Sequence, residues 1–145
     1  MNIALFLTPK NDIVTLKSTM TLRQAMETME YHKYSAVPVI DKYGRYVYTL
    51  SEGDILWHLK ANEDLNLKGS ESIMINQIKR SRTIEAVSIN ASIRHVVDLT
   101  RFQNFVPVVD DTGIFIGMVK RSDIMLSKLH VIEEDTTPQY NIAGA

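Results

Sequence analysis

Cysteine is absent from the sequence, which excludes disulfides, thiolate nucleophiles and zinc held by cysteine. A strong excess of charge is also missing, because Lys and Arg total 16, Asp and Glu total 17, and the net charge is −1. That balance produces no field that would favour nucleic acid as a partner. The apolar run at the start, Ile3 to Leu7, is too short for a membrane span and follows no basic leader. We therefore expect a cytoplasmic protein.

The side chains that catalysis requires do not come together in the sequence either. No nucleophile with an activating base, no paired carboxylates in a plausible cleft and no glycine-rich phosphate loop can be assembled. The histidines, His32, His58, His95 and His130, share no metal-ligand spacing. We therefore expect no enzyme, no metal site and no cofactor.

What the sequence does contain is an internal repeat. The chain has 145 residues, 45% of them hydrophobic and 23% charged, as is typical of one compact domain. The stretch from Tyr34 to Trp57 returns 69 residues later, from Gln103 to Leu126, without a gap. The residues that agree at this offset are Pro38 with Pro107, Asp41 with Asp110, Gly44 with Gly113, Asp54 with Asp123 and Ile55 with Ile124.

Hydrophobic patterning predicts the same order of elements, β-α-β-β-α, in both halves. Short β-branched runs at Ile13 to Leu16 and at Ala86 to Ile89 predict the first strands. Apolar residues at helical spacing then follow Thr21 in the first half and Ser92 in the second. Thr21 and Gln24 also form the pattern of a capping box.

A hairpin and a last helix complete each half. Pro38 and Pro107 lie inside strand-like runs, and we expect them at an edge or a bulge because proline donates no hydrogen bond to a sheet. The hairpin turns end at Gly44 and Gly113, where glycine accepts a positive φ. We place the first repeat at residues 1–61, a linker at 62–72, the second repeat at 73–130 and a mobile tail at 131–145.

Two stretches carry a family resemblance, Ser35 to Asp41 with Ser51 to Ile55, and their copies in the second half. Together they resemble a pair of CBS domains, named after cystathionine β-synthase. The resemblance implies an α/β (α+β) fold in which two repeats pack through their sheets around a pseudo-twofold axis. It also implies two clefts that bind adenosine-containing ligands, and association into flat dimers.

The resemblance assigns ribose binding to an aspartate at the start of each repeat's last helix, three residues after a Ser or Thr. Asp54 with Ser51 fits this pattern, whereas Asp123 follows Lys120, so that Ser122 becomes the candidate hydroxyl there. A carboxylate suits a vicinal diol because it accepts hydrogen bonds from both hydroxyls.

The adenine-binding residues follow from the same resemblance, and the phosphate-binding residues from the basic residues near the clefts. The adenine-binding candidates are Thr8, Val14, Ser35, Ala36 and Met118 for the cleft of Asp123, and Thr49, Ser81, Val87, Asn104 and Phe105 for the cleft of Asp54. The phosphate-binding candidates are Lys79, Arg80, Arg82, Lys120 and Arg121. This basic density favours a phosphorylated adenosine, such as AMP, ADP, ATP or cyclic di-AMP, over the cationic S-adenosylmethionine.

We therefore expect a stand-alone regulatory module that binds an adenine nucleotide and signals to an effector protein whose identity is unknown. We also expect a homodimer formed through the last helices, where Trp57 lies off the face of Ile55 and Leu59. The alternative is a structural or protein-interaction module whose clefts are vestigial. Nucleic acid binding by the basic turn Lys79 to Arg82 is the weakest hypothesis.

Overall fold

The computed structural model describes residues 2–127. His130 and the tail predicted at 131–145 lie outside the described residues. In chain order the strands and helices are β1 Leu7–Pro9, β2 Leu16–Lys17, α1 Leu22–His32, β3 Ala36–Ile40, β4 Tyr46–Ser51, α2 Glu52–Ala61, β5 Val87–Ser88, α3 Ile93–Leu99, β6 Phe105–Val109, β7 Phe115–Lys120 and α4, which begins at residue 121 and is described to residue 127. The mixed α+β class expected from the repeat is confirmed.

Helix α1 begins where the sequence predicts. The Thr21 side chain accepts a hydrogen bond from the Gln24 amide at 3.2 Å, and the Thr21 amide donates to the Gln24 side chain at 3.0 Å. In the second repeat Ser92 caps α3 by accepting from the His95 amide at 3.2 Å. These bonds satisfy amides that have no partner inside the helix.

The strands form two sheets, one for each repeat. The first sheet has the order β2-β3-β4 and the second the order β1-β7-β6-β5. The strand predicted at Ile13 to Leu16 is shorter and later, at Leu16–Lys17, and its counterpart is Val87–Ser88. The hydrophobic pattern did not predict β1. This strand precedes the first repeat's sheet in the sequence but belongs to the second sheet, where it pairs antiparallel with β7 and places Thr8 opposite Met118.

The prediction that Pro38 and Pro107 occupy an edge or a bulge is wrong. β3 and β6 are inner strands, and their register shifts come after Val39 and Val108, past the prolines. The outer strands β2 and β5 begin to pair one residue beyond each proline. Neither proline therefore needs to donate a hydrogen bond to the outer strand. For this reason an inner strand can contain the proline.

The hairpin turns join the two repeats across a pseudo-twofold axis. Gly44 and Gly113 have φ values of 83° and 86°, which glycine adopts without steric cost. The Tyr46 amide donates to the Gly113 carbonyl at 3.2 Å, and the Phe115 amide donates to the Gly44 carbonyl at 2.9 Å. Each bond is the copy of the other at the offset of the repeat.

Each repeat has its own hydrophobic core, and each core takes in a segment from outside its β-α-β-β-α unit. Ile75 and Ile78, which precede the second repeat's first strand, are buried with Leu16 and Leu50 in the first core. Ile3, at the other end of the sequence, is buried in the second core. Within residues 2–127, no helix is both long and apolar enough to cross a membrane.

Candidate functional site

The junction of β4 and α2 places the first candidate site. The Ser51 amide donates to Oδ2 of Asp54 at 2.9 Å, and the Asp54 amide donates to the Ser51 hydroxyl at 3.1 Å. This reciprocal capping box fixes both side chains where the strand becomes a helix. One residue after Ser51, the Glu52 amide donates to the Ser35 carbonyl at 2.9 Å.

Asp54 also bonds across the boundary between the repeats. Its Oδ1 accepts from the Ser81 amide at 2.7 Å and from the Ser81 hydroxyl at 2.9 Å, and the residue is only 2% exposed. A carboxylate offers about four acceptor positions, so three of them are filled. Hydrogen bonds thus satisfy the buried carboxylate and offset the cost of removing it from water.

A cavity of about 570 Å³ opens beside this carboxylate. We call it the Asp54 cleft. Its lining comes from both repeats: Ser35, Ala36, Thr49, Ser51, Glu52, Gly53, Asp54, Trp57, Ser81, Arg82, Ile84, Phe102, Gln103, Asn104, Phe105 and Arg121. Every residue predicted for this cleft is present except Val87, which is 5% exposed and packs in the second core.

Two arginines predicted to bind phosphate also line the Asp54 cleft. Arg82 donates to the Phe102 carbonyl at 3.2 Å, and Arg121 donates to the Thr100 carbonyl at 2.7 Å. A guanidinium carries five N–H donors in a rigid fork. These bonds orient each fork and leave donors with no recorded acceptor among residues 2–127.

A second cavity, of about 290 Å³, lies at the equivalent junction of the second repeat. We call it the Ser122 cleft. Its lining is Asp12, Ile13, Val14, Lys33, Tyr34, Ser35, Ala36, Pro38, Asn104, Phe105, Met118, Lys120 and Ser122. Val14, Ser35, Ala36 and Met118 lie where the sequence predicts, whereas Thr8, which pairs with Met118, does not line the cavity.

Asp123 does not line the Ser122 cleft, and no hydrogen bond to its side chain is recorded among the described residues. The residue three positions earlier is Lys120, which has no hydroxyl to form the capping box that holds Asp54. The polar residues that line this cavity instead include Ser122, Lys33 and Lys120. The two clefts share four walls, Ser35, Ala36, Asn104 and Phe105.

The other two basic candidates lie apart from both clefts. Lys79 and Arg80 line a hollow of about 280 Å³ together with Trp57, His58, Ala61 and Ser81. The Arg80 guanidinium lies 4.7 Å from the centre of the Tyr48 ring. The Tyr48 hydroxyl is buried without a hydrogen-bond partner among the described residues, and burial raises the pKa of Tyr48 to about 12.

Residues that the repeat did not single out also shape the Asp54 cleft. Trp57 and Phe102 line this cleft, and 54% and 65% of their surface is exposed. Gly53 also lines it, and a Cβ there would meet Ser51 Oγ, Ser81 Oγ and Trp57 Nε1 at ordinary contact distances of 3.7 to 3.9 Å. The one available signal was that Trp57 does not fit the apolar face of its helix.

Comparison with known proteins agrees with this architecture. The family described as CBS domain matches residues 6–61 and 73–130. No curated protein matches the chain.

Solved structures share the fold over nearly the whole chain. A CBS domain protein from Streptococcus pneumoniae TIGR4 is 27% identical, with a TM-score of 0.79 over 89% of this chain and 87% of that one. CbpB in complex with c-di-AMP is 21% identical, with a TM-score of 0.81 over 94% and 89%. CBSX2 in complex with AMP is 22% identical, with a TM-score of 0.69 over 90% and 97%. The chain belongs to the CBS domain family, and it carries two copies of that domain.

Proposed function

We propose that the chain is a regulatory, non-enzymatic module that binds an adenine nucleotide in the Asp54 cleft and passes the signal to a partner protein. The observation that carries the proposal is the cleft itself. A buried carboxylate from the first repeat, hydroxyl groups, apolar walls and two arginines from the second repeat converge on one cavity. Those groups match the ribose, the base and the phosphate of a nucleotide.

The ribose position follows from the hydrogen bonds of Asp54. A vicinal diol donates two hydrogen bonds, and the carboxylate has one open acceptor position besides the three filled ones. The Ser81 hydroxyl, 2.9 Å from Oδ1, is the donor that a ribose hydroxyl replaces most easily, because it can rotate away while the Ser81 amide stays. Ribose binding therefore exchanges one hydrogen bond for two.

Related structures support an adenine nucleotide as the ligand. CbpB and CBSX2 are described in complex with c-di-AMP and AMP. Both ligands contain adenine, ribose and phosphate, which the Asp54 cleft can accommodate.

Calorimetry with AMP tests this assignment. Asp54→Asn keeps the size of the side chain but removes its charge, and we expect AMP affinity to fall at least tenfold, or about 1.4 kcal/mol. Asp123→Asn is the matched control, and we expect its affinity within twofold of the wild type. If AMP, ADP, ATP and cyclic di-AMP all fail to bind or to raise the unfolding temperature at millimolar concentration, the module does not sense these nucleotides, and the alternative of a protein-interaction module with vestigial clefts is favoured.

The module is further proposed to act as a homodimer. Leu56 of α2 and Met125 of α4 occupy equivalent positions in the repeat and are 56% and 61% exposed. Leu56 also lines an apolar groove of about 470 Å³ between α1 and α2. A second copy would remove this surface from water. Sedimentation at micromolar concentration tests the dimer, and Leu56→Asp is expected to dissociate it.

A further inference from the structure

The rim of the Ser122 cleft carries charges of both signs that do not pair with each other. Asp12, Lys33 and Lys120 line this cavity, and all three residues are exposed. Among residues 2–127, no ion pair joins the carboxylate to either ammonium group. Opposite charges that line one cavity without meeting are free to contact a ligand that carries both signs.

The interior of the same cavity is apolar. Pro38 and Met118 are buried there, and Val14, Ala36 and Phe105 are half-buried. Sites for small molecules are typically lined by apolar side chains, with a few polar groups that orient the ligand. A ligand that fits this cavity therefore has an apolar body, and its charged groups lie toward the rim.

The Ser122 cleft lacks the arrangement that would hold a ribose in the Asp54 cleft. Asp123 does not line it, and Lys120, which stands at the position of Ser51 in the repeat, offers donors only. The carboxylate that does line it, Asp12, comes from the segment before β2 and not from the start of α4. The cavity therefore differs from its counterpart in the kind of ligand that it can recognise.

The backbone at the end of α1 brings one of the cations to the cavity. Lys33 has φ 59° and ψ 36° and is the only residue other than glycine with a positive φ among residues 2–127. This conformation is uncommon for lysine, and unusual backbone conformations concentrate at ligand sites. The Tyr34 amide, which donates to the Met29 carbonyl at 3.1 Å, holds the turn. Phe102 stands at the equivalent position of the second repeat, so this cation belongs to the Ser122 cleft alone.

We infer that the Ser122 cleft binds a small zwitterion with an apolar body, which is the chemistry of an apolar amino acid. The ammonium group of the ligand contacts Asp12, its carboxylate contacts Lys33 and Lys120, and its side chain packs in the apolar interior. Both polar contacts are charge-assisted. The inference concerns a cavity that the proposed function does not use, so it is independent of nucleotide binding in the Asp54 cleft.

Calorimetry with L-leucine, L-methionine and L-phenylalanine at millimolar concentration tests the ligand class. We expect at least one of them to bind with a stoichiometry of one per chain. Two analogues of the tightest binder, one without the ammonium group and one without the carboxylate, separate the two charges. Each analogue should bind at least tenfold more weakly than the amino acid, because it loses one charge-assisted contact.

Variants assign the binding to this cavity. Asp12→Asn and Lys120→Met keep the size of each side chain and remove its charge, and each should weaken the amino acid at least tenfold. Asp111→Asn and Lys17→Met are the matched controls, because both residues are exposed and line neither cleft. They should leave the affinity within twofold of the wild type, and so should Asp54→Asn.

Three results would overturn the zwitterion site. These are that none of the three amino acids binds, that an analogue lacking one charge binds as tightly as the amino acid, or that Asp12→Asn and Lys120→Met bind like their controls. AMP is titrated into the same proteins with and without the amino acid, and its affinity should stay within twofold. Competition between them would place both in one cleft and would also overturn the site. Failure of AMP to bind the wild type would contradict the proposed function alone.

Discussion

The two clefts are built on the same backbone and differ in the side chains at one helix start. In the first repeat the Glu52 amide donates to the Ser35 carbonyl at 2.9 Å, and in the second the Arg121 amide donates to the Asn104 carbonyl at 2.8 Å. These bonds are copies at the offset of the repeat. Ser51 and Asp54 then cap α2, whereas Lys120 gives α4 no such cap. A duplicated backbone therefore does not guarantee two equal binding sites.

The repeats also differ in what packs against the second strand of the hairpin, which is β4 in the first repeat and β7 in the second. Gly117 of β7 lies so close to β1 that a Cβ there would be 2.2 Å from the Thr8 carbonyl oxygen. The equivalent residue of β4 is Tyr48, whose ring is covered by Arg80. One sheet gains a fourth strand in place of a large side chain, and the other keeps the side chain and has three strands.

The largest difference between the clefts is expected on removing the aspartates. Asp54→Ala leaves the Ser51 amide and both Ser81 donors without their acceptor, and we expect a loss of about 2 to 3 kcal/mol in the free energy of unfolding. Asp123→Ala removes no recorded hydrogen bond, and we expect a change below about 0.5 kcal/mol. Urea unfolding of both variants measures the two losses of unfolding free energy. Equal losses would show that Asp54 is no more important for stability than Asp123.

Gly117→Ala tests the covering strand. The added methyl group must push β1 away from β7, because the atom it meets belongs to the backbone, and we expect a loss of about 2 kcal/mol. Gly53→Ala is the matched control, as its nearest atom is 3.7 Å away and no loss of stability is expected. Thermal unfolding of the two variants decides. A tolerated Gly117→Ala would mean that β1 is not closely packed on β7.

Tyr48→Phe tests the other repeat and should stabilise it. The substitution removes a buried hydroxyl that has no partner among the described residues, and we expect a gain of about 1 kcal/mol. The folded state raises the pKa of Tyr48 to about 12, so it holds the phenolic proton more tightly than the unfolded state. The protonated Tyr48 hydroxyl therefore contributes to the free energy of unfolding below the unfolded pKa of about 10. This contribution is lost as the pH rises toward 12.

Unfolding curves of wild type and Tyr48→Phe at pH 8 and above pH 10 measure both effects. The variant should keep more of its stability in alkali. Burial also raises the pKa of Tyr46, and both proteins share that part of the decline. A variant less stable than wild type at pH 8 would show that the hydroxyl has a partner in solution.

The smallest expected effect concerns the hairpin turns. The Thr112 hydroxyl donates to Asp110 at 2.8 Å and, with backbone amides, lowers the pKa of Asp110 from its ordinary value of 3.8. Its contribution to stability is therefore present above pH 3.8 and lost as the pH falls through the lower folded value. Tyr43 stands at the equivalent position of the other turn.

Thr112→Val removes this hydroxyl and should raise the pKa of Asp110 toward its ordinary value. An NMR titration of the Asp110 carboxyl in wild type and variant measures the shift. An unchanged pKa in Thr112→Val would assign the lowering to the backbone amides alone.

Local features were predictable because their causes lie close together in the sequence. The capping boxes at Thr21 and Ser51 and the glycines at both turns follow from residues within a few positions. Half of the lining residues of the Asp54 cleft were also predicted, from the family resemblance and from the basic residues near the cleft. Pro38 was misjudged because its position in the sheet depends on how far a neighbouring strand extends, which its own sequence does not state.

Long-range contacts could not be derived from local sequence patterns, although the family resemblance did place Ser81 in the cleft of Asp54. The bond between Asp54 and Ser81 joins residues 27 positions apart, and β1 pairs with a strand near the other end of the chain. Neither contact has a periodic or local signal. The absence of Asp123 from the lining of the Ser122 cleft is likewise seen only in the tertiary structure.

The sequence by itself determined the duplicated unit, its order of strands and helices, and the residues that begin each helix, because these depend on local propensity and on a repeat that can be counted. The tertiary structure alone decided that β1 joins the second sheet, which outside segment completes each core, and which of the two aspartates lies at a cavity. Those outcomes depend on packing between segments far apart in the chain, where the shape and volume of neighbouring side chains determine which contacts form.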